Sequence, residues 1–136
     1  MSTITQLIRK PRRSKRKKSL VPALCKCPMK KGTVVRVLEQ APKKPNSARR
    51  KVAKIKIKST NKIITCHLPG EGHTLVKHAT VIVRGGRCQD LIGVRYKPIR
   101  GLFSFEPLNK RRTRKSKYGV KTKKKKLKHS YNKCHN

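Results

Sequence analysis

KVAKIKIK, residues 51–58, alternates without a break: Ala53, Ile55 and Ile57 fall on one side, Lys54, Lys56 and Lys58 on the other. A period of two is that of a β-strand with one buried and one wet face. The wet face here is a row of ammonium groups, a surface suited to phosphates. Outward from this strand, STNK (59–62) supplies a turn and KIITCHL (62–68) returns as a partner. On the N-terminal side, TVVRVLE (33–39) is rich in β-branched residues and follows Gly32. Further on, ATVIVRG (79–85) stops at Gly85-Gly86, and GVRYKPI (93–99) runs to a break at Gly101 before LFSF (102–105). Five short strands with Gly/Pro turns predict an all-β chain closed into a small five-stranded barrel. The one short helix predicted covers 3–8, with Thr3 as N-cap, Gln6 at capping-box spacing, and Pro11 ending it.

Around this centre the charge is extreme. Forty Lys and Arg stand against four acids in 136 residues, a net charge of +36. Self-repulsion on that scale opposes compaction, and a dense polyanion relieves it by releasing counterions at each phosphate contact. Residues 1–31 carry 11 cations and no acid, 32–108 carry 16 cations and all four acids, and 109–136 carry 13 cations and no acid. The chain therefore divides into a basic N-terminal extension (1–31), a barrel (32–108) and a basic tail (109–136). The two arms cannot bury enough apolar surface to offset their ordering entropy, and are expected to order only against a partner. Arg9, Lys10, Arg12, Arg13, Lys15, Arg16, Lys17 and Lys18 form one run of cations. It is Arg-rich and acid-free as transit peptides are, but reads better as an RNA-binding arm. Lys123 to Lys126 make the tail low-complexity.

Two loops stand out. APKKPNSARRK (41–51) sets Lys43 and Lys44 between Pro42 and Pro45, then small polar residues, then Arg49, Arg50 and Lys51. The prolines stiffen the loop and turn its lysines outward. Asn46 and Ser47 offer an amide and a hydroxyl that can meet 2′-hydroxyls in a shallow RNA minor groove. By spacing alone an ordinary Pro-Asn-Ser turn explains the segment equally well; the flanking cations tilt the reading toward RNA. RGGRCQDLIGVRY (84–96) places Gly85, Gly86 and Gly93 around Arg84, Arg87 and Arg95, and glycine permits close backbone approach. Asp90 there is expected to accept hydrogen bonds and pin the loop. PGEGH (69–73) is a third turn.

Other chemistry finds little support. The four carboxylates are scattered, and no Gly-x-Ser-x-Gly elbow, Walker loop or dinucleotide fingerprint occurs, so no enzyme and no cofactor are expected. Five cysteines, an odd number without framework spacing, point to free thiols in a reducing compartment. Cys25-x-Cys27 with Cys66 and His67 lacks the usual zinc spacing, and no metal site is expected. His73 and His78 read as loop residues. No apolar run is long enough to span a membrane, and the N-terminus shows no signal-peptide core.

KKPNSA (43–48), PGEGH (69–73), RGGR-x-x-D (84–90), GVRY (93–96) and RKSKYGVK (114–121), in this order and separation, resemble the ribosomal protein S12 (uS12) family of the small subunit. The opening TITQLIRKPRR is similar as well, so the resemblance covers residues 2–121. It implies an OB-fold barrel with a long arm threaded into ribosomal RNA, and loops reaching the decoding centre. Carried over by motif, Lys43, Lys44, Pro45, Asn46 and Ser47 form the decoding-centre loop. Pro45 and Ser47 would monitor the second codon position by minor-groove shape, and Lys43 and Lys44 would hold the rRNA backbone. Arg87, Gln89, Asp90, Gly93 and Arg95 form the second such loop, with Asp90 at the position bacterial relatives modify by β-methylthiolation. The arm cations with Arg49, Arg50, Lys51, Arg114, Lys115, Lys117 and Tyr118 would contact rRNA. The implied partners are small-subunit rRNA, A-site tRNA, mRNA and neighbouring ribosomal proteins, with no membrane and no homo-oligomer.

The chain also departs from the family. Gln89-Asp90-Leu91-Ile92-Gly93 stands where Lys-Asp-Leu-Pro-Gly is usual, and Arg49 where leucine is usual. The 122–136 extension has no counterpart in the short bacterial pattern. The GEGH form, the divergent second loop, the Lys/Asn/Ile-rich tail and the lack of a separate presequence resemble an organelle-encoded copy, in mitochondria before plastid stroma or bacterial cytoplasm. The competing reading is a free single-stranded nucleic-acid binder, an RNA chaperone on the same barrel. Such proteins stack bases on aromatic rows, whereas this chain has no Trp and no aromatic on the 51–58 strand.

Overall fold

The computed structural model describes residues 2–14 and 17–121. Lys15, Arg16 and the 122–136 tail lie outside the described residues. Five strands, β1 (Met29–Gln40), β2 (Arg50–Ile57), β3 (Ile63–His67), β4 (Thr80–Gly85) and β5 (Tyr96–Pro98), close into a barrel in the order β1-β2-β3-β5-β4. All neighbours are antiparallel except β3 and β5, which meet in parallel at Cys66 and Tyr96. The all-β, OB-like barrel expected from the sequence is the architecture found.

The alternation in β2 is borne out. Ala53, Ile55 and Ile57 are fully buried, while Lys56 and Lys58 are exposed and Lys54 is half-buried. The inward residues meet Val34, Cys66, Val81, Val83 and Phe105 in one core. Truncating Ile55 or Ile57 to alanine costs about 2–5 kcal/mol.

Closure depends on β1, which starts at Met29 rather than after Gly32. Met29–Thr33 pair with β4 and Gly32–Gln40 pair with β2, so one strand serves both neighbours. A register shift between Val34 and Arg36 gives the bend this requires. Gly32 sits where the two ladders overlap. A Cβ there would stand 2.7 Å from Ile55 Cγ2 and 2.9 Å from the Lys56 carbonyl oxygen.

The last strand is shorter than 93–99. Gly93–Arg95 fold back instead: the Cys88 amide donates to the Val94 carbonyl (3.1 Å) and Gly86 to Arg95 (3.0 Å). Val94 then buries with Leu91 against Val52 in a second apolar cluster outside the barrel. Val52 is the one inward-pattern exception in β2, covered from outside by that loop.

Both arms contribute more to the folded body than composition indicates. A 3-10 turn (Pro22–Leu24) buries Ala23 and Leu24 in the core, and the Ala23 amide donates to Tyr96 Oη at 3.1 Å. Downstream, a second 3-10 turn (Lys115–Tyr118) buries the Tyr118 ring. Near the N-terminus the helix α1 (Ile4–Arg9) has the expected capping box between Thr3 and Gln6 and buries none of its residues.

Candidate nucleic-acid interface

The two sequence-marked loops meet at one end of the barrel. Both flank a cleft of about 960 Å³, lined by Lys43 to Asn46 on one side and by Gly85 to Arg95 on the other. Two contacts hold them together: the Lys43 amide donates to the Asp90 carbonyl at 2.7 Å, and Arg50 Nη2 donates to Asp90 Oδ2 at 3.3 Å. Asp90 thus pins the second loop to the foot of the first. The Arg50–Asp90 pair is partly exposed, so solvent screening limits its worth to about 1 kcal/mol or less. Its effect is to set the loop spacing.

The side chains that could touch RNA face outward. Lys43, Lys44, Pro45, Asn46 and Ser47 are exposed, as are Arg87, Gln89, Gly93 and Arg95. The Asn46 amide donates to the Lys43 carbonyl (3.2 Å), closing the turn that carries Pro45. Gly93 adopts φ +77, in the left-handed region that favours glycine, with open space where a Cβ would stand. Leu91 anchors that loop in the outer cluster, which leaves Ile92, at the usual proline position, 76% exposed. Arg49 is exposed and only loosely paired with Glu39 at 3.9 Å, and Lys51 is exposed as well. Arg9, Lys10, Arg12, Arg13, Lys17 and Lys18 are exposed along the arm, and Arg114, Lys115 and Lys117 beyond the barrel.

Tyr118 sits differently from the other candidate residues. Its ring is buried with the Arg111 guanidinium 4.8 Å from the centroid, and the Leu108 amide donates to its carbonyl at 3.1 Å. The ring packs into the folded body, whereas Arg114, Lys115 and Lys117 around it stay exposed. Sequence reasoning also missed Arg100, which is 3% exposed. Its guanidinium donates to the carbonyls of Pro69 (2.6 Å), Glu71 (3.2 Å), Glu106 (3.2 Å) and Gly72, and lies 4.3 Å from the Phe105 centroid. The PGEGH turn is therefore tied to the segment that follows β5. An Arg before a Gly at a strand end carries no signal that separates it from the many surface cations.

Cys25, Cys27, Cys66 and Cys88 are free thiols. Cys66 lies wholly inside the barrel, where burial pushes its thiol well above its ordinary range, while Cys25 and Cys27 are exposed. Among the described residues no three His, Cys, Asp or Glu side chains converge as a metal site. Among the same residues no helix is long and apolar enough to cross a membrane.

A barrel with a cationic two-loop mouth and basic extensions is a polyanion-binding module, with a design suited to folded RNA. The family model described as ribosomal protein S12/S23 matches residues 15–128. The chain belongs to that family. It is a structural component of the small ribosomal subunit and not an enzyme, and its partners are rRNA and other ribosomal proteins.

Proposed function

We propose that the paired loops line the decoding centre and support accurate tRNA selection. The observation that carries this reading is the Lys43–Asp90 backbone bond at 2.7 Å, which joins KKPNSA and the 87–95 loop into one unit. In this reading Lys43 and Lys44 grip rRNA backbone around the codon–anticodon helix. Pro45, Asn46 and Ser47 lie against its minor groove and sense contour, as befits backbone and shape recognition. Arg87, Gln89 and Arg95 supply the second contact across the cleft, reaching A-site tRNA and mRNA. The basic arm and tail bridge rRNA helices and neighbouring proteins.

Ribosomes carrying Lys44→Ala or Ser47→Pro test this reading. Misreading of a near-cognate reporter is expected to shift severalfold while subunits still assemble. Wild-type accuracy in both, on correctly assembled particles, contradicts it. Deleting residues 1–20 is expected to impair assembly instead.

The ribosome in question we take to be mitochondrial. The Gln89–Gly93 variant loop and the Lys-rich extension support that reading. Cell fractionation followed by immunodetection in gradient-purified mitochondrial small subunits checks it, and detection only in plastid or cytoplasmic particles overturns it.

A further inference from the structure

Outside the two loops, β4 and β5 face each other with like charges. Arg84 stands directly opposite Lys97 in the antiparallel ladder. Their neighbours Val83, Tyr96 and Pro98 are buried, so both cations project from the outer wall. They also converge there: a Cβ placed on Gly86 would lie 3.2 Å from Lys97 Cδ and 3.7 Å from Arg84 Nη1. Among the described residues the Arg84 guanidinium donates only to the adjacent Gly85 carbonyl, at 3.2 Å. Among the described residues the acids form two ion pairs, Glu39 with Arg49 and Asp90 with Arg50, and neither reaches this pair. His67 follows Cys66, which is the β3 residue paired with Tyr96, and so extends the same outer row.

Like charges directly opposite in a ladder destabilise a free sheet. The arrangement becomes favourable once one anion sits between the two. We propose that Arg84 and Lys97 form a two-point clamp for a single phosphodiester of folded rRNA on the outer β4–β5 wall. Arg supplies a fork of N–H donors and Lys a point charge, which together suit a tetrahedral anion. An acidic protein segment is the lesser candidate, because the whole surface is built for a dense polyanion. The clamp rests on membership of the ribosomal family, not on the decoding role of the loops.

The test uses the full chain and its own small-subunit rRNA as a transcript. Lys97→Met and Arg84→Gln are each expected to lower affinity about tenfold at low salt. Each is expected to make the slope of log affinity against log salt shallower by about 0.7–0.9. The double variant is expected to lose less than the product of the two, because both hold one phosphate. In the RNA-free chain the same changes are expected to leave the thermal midpoint unchanged or higher. Lys77→Met, on an exposed loop, serves as the charge control. If Lys97→Met weakens RNA binding no more than the control, or if the two losses multiply independently, the clamp is wrong. Equal loss of binding to polyglutamate and to the transcript also overturns it in favour of an acidic partner. Failure of the clamp with wild-type rRNA binding intact leaves the ribosomal reading untouched; an accuracy assay on Lys44→Ala tests that reading separately.

Discussion

At the scale of single residues, His67 makes the isolated protein sensitive to acid. Burial first, then the charges of Lys97 and Arg50, hold it below its ordinary value of 6.5, with Asp90 pulling the other way. His73 is lowered too, by burial and then by Lys51 and Arg100. A proton is therefore less welcome in the folded chain than in the unfolded one. The stability tied to neutral His67 is complete above the unfolded pKa and is lost as pH falls through it toward the lower folded value. The urea midpoint is expected to drop from about pH 7 to about pH 5, and His67→Gln to flatten part of that fall. Arg100 is the costlier residue to lose. Arg100→Met would strand four carbonyls, and a loss of about 2–4 kcal/mol is expected in urea titrations. Gly119 illustrates a limit of sequence reading. It has φ +70, and a Cβ would lie 2.6 Å from the Arg100 carbonyl oxygen. The sequence shows only a glycine in RKSKYGVK, whereas the reason for it is a strand end brought close by the fold.

At the scale of elements, legibility followed locality. The β2 strand was readable because its alternation lies within eight residues and its inward side chains meet any core. The capping box of α1 was readable for the same reason. The trimming of β5 was not, because Val94 leaves the strand pattern to pack on Val52 and Leu91, a partnership no local period encodes. Likewise both candidate loops were visible as motifs, but their meeting through Lys43 and Asp90 is a product of barrel topology. The outer cluster makes a prediction of its own. Leu91→Ala is expected to cost about 2 kcal/mol and to free the second loop while leaving the barrel closed. Hydrogen exchange should then quicken at the Cys88 amide and stay slow at Ile57; equal change at both would show that the cluster supports the whole barrel.

At the scale of the whole molecule, net charge sets the conditions of stability. With +36 on so small a body, screening matters: the Debye length shrinks from about 30 Å at 0.01 M salt to about 10 Å at 0.1 M. The isolated chain is expected to gain at least about 1 kcal/mol over that range, or about 4–8 °C in midpoint. A midpoint independent of salt would mean that self-repulsion is not a major term. The ring of strands adds one practical consequence. Cys66 is walled in while Cys25 and Cys27 stand in solvent. A water-borne alkylating reagent therefore meets Cys25 and Cys27 at once, reaches the half-buried Cys88 more slowly, and meets Cys66 only when the staves part. Labelling at Cys66 is a stopwatch the chain already carries, ticking with each opening of the barrel, and it should all but stop once the protein is seated in its particle.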